Sequence, residues 1–316
     1  MLDLHRLRLL KEFADRGTIG ATAAALGYTP SAVSQQLAAL EREAGATLLD
    51  RTARSAELTD AGRRLAIHAE IILAQVEAAE ADLSAQEREP SGRVSVAAFP
   101  TAAVAFAPAL VRSLRAHPGV TLLLRQTQQD EGLRGVRSGE VDVALVDDWS
   151  GGIADRAPSI VRLFPLLRDP LVLIVPRSHR LADPAVPVDL RSLRETSRWM
   201  AAPAGEPSRE AVDRLLARVG GPPAVPWEFE GLGTILSLVA RGTGIAAVPR
   251  LALAAGEGRV AVRDLPGSDL ARDIYAVVRA ASIRRPSVAF TLTALQAGAR
   301  SLAGRGITQV PPPGQP

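Results

Sequence analysis

The run from Thr59 to Glu89, "TDAGRRLAIHAEIILAQVEAAEADLSAQERE", limits the fold more than any other stretch. It holds no proline and is rich in alanine, leucine and glutamate, all strong helix formers. Thr59 is placed to cap its start, and Pro90-Ser91-Gly92 ends it. Leu58, Leu65, Ile72 and Ala79 recur every seven residues, with Ala69, Val76 and Leu83 at the intervening heptad position. A seam of that kind suits a second copy, which would bury Leu65, Ile72, Val76, Ala79 and Leu83 between two chains. The alternative is packing on its own domain, against which stand the helix's length and the acidity of its other faces. Either way, the chain divides into a segment before this helix and a segment after it.

The preceding segment reads as three helices and a hairpin. Leu4, Leu7, Leu10 and Phe13 mark a first helix that ends near Gly17, and Thr18 caps a short second one through Leu26. Gly27 and Tyr28 supply a tight turn. In "TPSAVSQQL" the Thr29 hydroxyl can cap orphan N–H groups, and Pro30 fits the first helical position, so a third helix begins there and runs to about Glu43. Ala32, Val33 and Leu37 form its inward face; Ser31, Ser34, Gln35 and Gln36 point elsewhere, polar but uncharged. Helix, helix, glycine turn, helix is helix-turn-helix geometry. "TLLDRTARSAEL" then predicts two small strands around Asp50 to Ser55, a wing beside the third helix.

After the long helix the pattern changes to α/β. "RVSVAA", "VTLLLRQ" and "VDVALV" read as buried strands separated by helices, as in a parallel sheet. A second set follows in "LVLIV", "RWMAA", "AVPWEFE" and "GIAAVP", with helices near 208–219 and 233–241. Two similar lobes in sequence imply a cleft between them. The chain returns through "DIYAVVR" and a helix from about Ser287 to Leu302 that could pack on the first lobe, while "VPPPGQP" cannot form a packed element. The expected organisation is therefore a winged helix-turn-helix at 1–58, a linker helix at 59–89 and a two-lobe α/β domain at 90–304. Lobe I takes about 92–163 and 268–304, lobe II about 164–267, and 305–316 is a disordered tail.

Composition excludes more than it selects. With 316 residues, 47% of them hydrophobic, the chain can build proper cores without disulfides or metals. It has no cysteine, which rules out disulfide frameworks, thiolate zinc sites and cysteine redox switching. The four histidines, His5, His68, His117 and His179, show no metal-ligand spacing, so neither metal nor cofactor is expected. "MLDLHRLRLLKEF" lacks a signal peptide's apolar run, and no stretch reaches the roughly 18 apolar residues of a membrane span, so a cytoplasmic protein without membrane association is expected. The net charge of +3 does not itself imply nucleic acid, because residues 1–90 carry ten Lys+Arg against fourteen Asp+Glu, net −4. A local patch, not a domain total, meets phosphate.

The motifs say more. "GTIGATAAALGYTPSAVSQQLAALEREAGATLLDRTARSAELTDAGRRL" resembles, without a gap, the N-terminal domain of the LysR-type transcriptional regulators. The paired alanines, Ala32-Val33-Ser34, Leu40-Glu41, Gly45, Leu48, Arg51 and Leu58-Thr59-x-Ala61-Gly62 all stand where that family has them. "GEVDVALVD", "DPLVLIVPRSHRLA" and "VARGTGIAAVP" resemble its effector lobes, so the likeness runs from residue 1 to about 304. Leu49 replaces the usual phenylalanine, a packing change, and Pro30 a common glutamine, which removes one base or phosphate contact.

The resemblance implies a sequence-specific DNA-binding regulator, homodimeric or homotetrameric, whose C-terminal domain has the periplasmic-binding-protein fold and takes a small effector between its lobes. Thr29, Ser31, Ser34, Gln35 and Gln36 would then meet the major groove, where serine and glutamine reach base edges. Arg51 and Arg54 on the wing would hold phosphate or the minor groove, unless Asp50 and Glu57 occupy them. In the lobes, Pro100 and Thr101 after the first strand, Gln129 at the next helix start, Asp147 after the third strand and Trp199 in lobe II are the candidate effector contacts. Asp147 and Asp148 would repel an anion and favour an amine, with Thr101 accepting a carboxylate or hydroxyl, which suits an amino-acid-like ligand. Asp147 is equally open to an ion pair with Arg125 or Arg162. No nucleophile elbow, phosphate loop or zinc motif is present, so an enzyme is not expected. The competing reading is an architectural DNA-binding protein whose lobes serve oligomerisation alone.

Overall fold

The computed structural model of the protein describes residues 1–51, 55–84, 89–153, 157–221, 227–255, 258–265, 269–304 and 306–310, without the side chains of Ser84, Gln129, Asp130 and Ala255. The chain forms two compact units, Met1–Arg88 with Ala281–Arg285, and Glu89–Ala280 with Pro286–Pro316.

In the first unit, helices α1 (Leu4–Arg16), α2 (Ile19–Leu26) and α3 (Pro30–Ala44) are each set by local chemistry. Asp3, Thr18 and Thr29 cap their starts by accepting from Arg6 N, Ala21 N and Ala32 N, and left-handed Gly17, Gly27 and Gly45 end them. Leu7, Leu10, Phe13, Val33, Leu37 and Leu40 close the core, each at most 2% exposed. Burying each such side chain is worth about 1.5–3 kcal/mol as an upper bound.

Strands β1 (Leu49–Arg51) and β2 (Ala56–Leu58) pair antiparallel, Leu49 opposite Leu58 and Arg51 opposite Ala56, giving the expected wing. Helix α4 (Asp60–Ser84) follows, with Thr59 Oγ1 accepting from Gly62 N at 3.0 Å. Gly62 is required by proximity: a Cβ there would stand 2.1 Å from the Leu48 carbonyl oxygen.

The first half of α4 packs on its own domain, where Ala66 and Ala69 are buried and Leu65 lies against the same apolar cluster. That corrects the seam reading for Leu65, whose place on the inward side of α4 is taken up by the three-helix core. Farther along, Ile72 and Leu83 are 36% and 72% exposed, Ala79 is exposed and Val76 half-buried. Ile67 and Ile71, also exposed, widen this apolar surface.

The strands of the second unit are β3 (Gly92–Ala98), β4 (Val120–Gln126), β5 (Val143–Asp148), β6 (Val161–Val175), β7 (Met200–Ala201), β8 (Trp227–Glu228), β9 (Ala246–Pro249), β10 (Ala261–Asp264) and β11 (Ala271–Arg279). One sheet, ordered β10-β6-β11-β5-β3-β4 with β9 also paired to β6, carries the unit. β3 runs parallel to β4 and β5, while β11 is antiparallel to β5 and β6. The long strand β6 serves both lobes: residues 161–170 pair with β11, and residues 171–175 pair with β9 and β10. The short parallel pair β7 and β8 continues from β9 through a Trp199–Ile245 bridge.

Sequence patterning anticipates only "LVLIV" of β6, because Pro165 and Pro170 interrupt its first part. Pro165 is accommodated beside a register shift at Ile274/Tyr275, as prolines inside sheets require.

Around the sheet stand α5 (Pro100–Leu114), α6 (Gln129–Ser138), α7 (Leu190–Thr196), α8 (Pro207–Ala217), α9 (Leu232–Ala240) and α10 (Pro286–Leu302). Val136, Val146 and Val277 centre one core; Leu173, Val212 and Leu215 centre a second, and Ile174, Val239 and Val248 a third.

The expected disorder from residue 305 does not hold for 306–310. Thr308 exchanges both backbone hydrogen bonds with Arg168 of β6, at 2.7 and 3.1 Å, Ile307 is 8% exposed and Val310 packs against the lobe I core. Two apolar side chains suffice to tether the tail there; Arg305 and 311–316 lie outside the described residues. Among the described residues no helix is long and apolar enough to cross a membrane.

Candidate functional sites

On α3, Ser31 and Gln35 are exposed and Ser34 is half-buried. Arg42, which is not among the readers expected from the sequence, is exposed on the same stripe as Ser31, Gln35 and Ala38, and the i, i+4, i+7, i+11 spacing was the signal for it.

Thr29, Ser31, Ser34 and Gln36 already make hydrogen bonds within the unit. The Thr29 hydroxyl caps Ala32 N at 3.3 Å and lies 3.1 Å from Ser31 Oγ. Gln36 Oε1 accepts from Arg6 Nε at 2.9 Å, and Arg6 also pairs with Glu43, so Gln36 is fixed to α1 rather than presented outward. Arg51 lies on the wing with Nη1 donating to Ser34 Oγ at 3.2 Å and Nη2 to Glu41 Oε2 at 3.3 Å. Asp50 and Glu57 do not take it. Arg54 lies outside the described residues.

The second unit carries a cleft of about 240 Å³, lined from one lobe by Phe99, Pro100, Thr101, Gln128, Asp147, Trp149 and Arg272 and from the other by residues including Pro203, Glu206 and Glu230. Four helices begin on it: α5 after Phe99, α6 after Gln128, α8 after Glu206 and α9 after Gly231. None of the four starts has a side-chain cap, whereas α1, α2, α3 and α7 all have one. Uncapped first turns leave backbone N–H groups and the positive dipole end to an acceptor from outside the helix.

Arg272, which no sequence pattern singles out, organises the floor. It is 3% exposed, with Nε donating to Asp169 Oδ2 at 2.9 Å, Nη1 to Asp147 Oδ2 at 2.8 Å and Nη2 to Thr101 Oγ1 at 2.8 Å. Its guanidinium lies 4.9 Å from the Phe99 ring centroid and 5.7 Å from that of Trp149. Asp169 is fully buried; burial pushes its carboxyl up, against the pull of the Arg272 charge and the Leu251 N–H.

The free-carboxylate reading of Asp147 is therefore corrected: besides Arg272 it receives Trp149 Nε1 at 3.2 Å, and its partner is neither Arg125 nor Arg162. Asp148 faces its own loop. Burial works to raise its pKa, but N–H groups of Ile153, Ser150 and Gly151 and the Ser150 hydroxyl hold it below the usual value.

Pro100, Thr101 and Asp147 line the cleft as expected, and Gln128 does so immediately before Gln129, whose own side chain is not described. Trp199 does not. It is 1% exposed, packed in the lobe II core with Leu173, Val212 and Leu215, where its Nε1 donates to the Leu193 carbonyl at 3.0 Å. The acids that sequence reasoning missed are Glu206 and Glu230, both exposed at the cleft and unpaired with any cation among the described residues. Among the described residues no group of three or more His, Asp or Glu could hold a metal ion.

Residues 4–63 match the family described as bacterial regulatory helix-turn-helix protein, lysR family, and residues 87–300 match the LysR substrate binding domain. The uncharacterized HTH-type transcriptional regulator YfeR of Shigella flexneri is 30% identical over 257 residues, 81% of this chain and 80% of that one. A "probable hydrogen peroxide-inducible genes activator" of Streptomyces viridosporus is 29% identical over 251 residues, 79% and 78% of the two chains. A full-length OxyR variant from Pseudomonas aeruginosa superposes with a TM-score of 0.67 at 20% identity, over 94% of this chain and 98% of that one, which bears on the fold alone.

Proposed function

The chain belongs to the LysR family of bacterial transcriptional regulators, and we propose that its DNA-binding state is set by a small ligand carrying both a carboxylate and a cationic group. That it is a DNA-binding regulator with an effector-binding domain follows from the family; a purely architectural role finds no support in the matches. The ligand's chemistry is our reading, and the pairing of four uncapped helix starts with two unpaired glutamates around one cleft carries it. The helix starts favour a carboxylate, and Glu206 and Glu230 an ammonium or guanidinium. The amine end thus moves from Asp147, which Arg272 neutralises, to the other lobe. At about 240 Å³ the cleft falls below the roughly 300–1,000 Å³ of drug-sized pockets, so a metabolite of amino-acid size fits.

Ser31, Ser34 and Gln35 read bases on this proposal, while Arg51 holds phosphate. The exposed Ile72, Ala79 and Leu83 of α4, with half-buried Val76, pair with a second copy, so that a two-fold dimer meets an interrupted inverted repeat. Ile72→Glu should then convert the dimer to monomers in light scattering; an unchanged mass removes the seam. A cytoplasmic setting and the lack of any catalytic step belong to the same proposal. The Streptomyces viridosporus relative is named for peroxide, but with no cysteine this chain cannot respond by thiol oxidation.

Thermal shift against matched ligands tests the cleft. A zwitterionic amino acid present at about 100 times its Kd adds roughly 2.7 kcal/mol, or about 5–10 °C for a unit of this size. Stabilisation by simple dicarboxylates with none by any amino acid would overturn the assignment.

A further inference from the structure

The wing arginine does not stand alone. Glu41, in the last turn of α3, places Oε1 on two backbone amides at the base of the wing, Leu48 N at 2.9 Å and Leu49 N at 3.0 Å. Its other oxygen, Oε2, receives Arg51 Nη2 at 3.3 Å, while Arg51 Nη1 reaches Ser34 Oγ on the same helix at 3.2 Å. One carboxylate thus ties the wing's backbone to α3 and holds the wing's cation against a residue on the base-reading face. The Glu41 side chain is 19% exposed and that of Arg51 38% exposed, so the pair is not freely averaged by solvent, yet the guanidinium remains open to a third partner. Nothing in the proposed DNA-reading role requires an acid here. A negative charge beside phosphate weakens binding to any duplex.

We propose that Glu41 is a positioning residue for DNA recognition: it gives up non-specific affinity in order to fix Arg51 in the one register that serves a phosphate while Ser34 and Gln35 meet the bases. Held by both Glu41 and Ser34, Arg51 keeps its planar fork in a defined orientation before DNA arrives, and less side-chain freedom is lost on binding. The proposal rests on the reading of Arg51 as a phosphate contact, and the two are separated by experiment.

The test is a double-substitution cycle on the full-length protein, with two probes: a duplex selected by the wild-type protein from a random pool, and a scrambled duplex of equal length. Each is titrated at several salt concentrations. Glu41→Gln retains an amide oxygen for Leu48 N and Leu49 N but no charge for Arg51. It should tighten binding to scrambled DNA and lower the selected-to-scrambled ratio by about threefold to tenfold. In an Arg51→Gln background the same change should leave the ratio where Arg51→Gln put it, which a purely structural role of Glu41 would not do. Equal effects of Glu41→Gln in both backgrounds overturn the positioning role.

Arg51→Gln alone should flatten the salt dependence by roughly one phosphate's worth. If the slope does not move, Arg51 touches no phosphate and the proposal falls with its premise, a result distinct from failed coupling. Should Glu41→Gln unfold the unit, Arg51→Lys provides the second arm. Lysine keeps the charge and hence the slope but cannot span Glu41 and Ser34, so the ratio should still fall, and an unchanged ratio overturns the proposal.

Discussion

Replacing Arg272 by methionine removes the cation that two buried carboxylates share. Asp169 is fully buried and Asp147 is 9% exposed, so both would lose the counter-charge that offsets their burial. Breaking a buried pair from one side costs about 3–5 kcal/mol. For a unit of this size that corresponds to a fall of about 6–20 °C in melting temperature near neutral pH.

Trp149, Trp199 and Trp227, the three tryptophans of the chain, all belong to the second unit, so intrinsic fluorescence follows its unfolding. The sign of the pH dependence is fixed by Asp169. Burial already raises its folded pKa and the Arg272 charge opposes that, so without Arg272 the neutral form is favoured further and stability is lost as pH rises through the folded value. The gap between Arg272→Met and the parent should therefore be wide at pH 7.5 and narrower at pH 5, and adding Asp147→Asn with Asp169→Asn should restore part of it. A loss under 2 °C, or a gap that ignores pH, would falsify the view that this ion network holds the cleft floor.

Asp148 sets the acid limb. Its folded pKa is lowered, so its contribution is present above the unfolded value near 3.9 and lost as pH falls through the folded one; Asp148→Asn should lower stability at pH 7 and flatten the decline below about pH 4 in fluorescence melts. Deleting residues 305–316 removes the burial of Ile307 and the Arg168–Thr308 pairing, and should cost the second unit about 2 kcal/mol in urea unfolding; no change would show the tail to be an idle contact. Gly62→Ala drives a methyl into the Leu48 carbonyl and should destabilise the first unit by about 1–3 kcal/mol, read by far-UV circular dichroism, whereas a neutral outcome would mean that α4 shifts freely against the wing.

Local chemistry was readable from the sequence. Thr18, Thr29 and Thr59 cap the helices that follow them, and Gly17, Gly27 and Gly45 end helices, all within a turn of where the residue stands. The wing pairs residues less than ten apart. The cleft floor could not be read in this way, since Arg272 meets Asp169, Asp147 and Thr101 across 103, 125 and 171 residues. Those contacts exist because β11 returns between β5 and β6 in a register that no periodicity reveals. Trp199 misled for a related reason: a tryptophan on a predicted lobe II strand reads as a ligand platform until the packing shows its indole donating to Leu193 in the core. Leu65 repeats the lesson on a helix, where heptad spacing names a face but not whether the neighbour is the chain itself or its copy.

If occupancy of the cleft governs how the helix-turn-helix holds DNA, footprinting will register it. The substrate is the set of genomic fragments retained by the purified protein, probed with and without the amino acid that most raises the melting temperature of the second unit. The expected result is protection of an interrupted inverted repeat, with the protected length or its hypersensitive positions changing when the amino acid is added and unchanged by it in a Glu206→Gln, Glu230→Gln variant. A footprint that the amino acid leaves unaltered at saturating concentration would contradict control by the cleft.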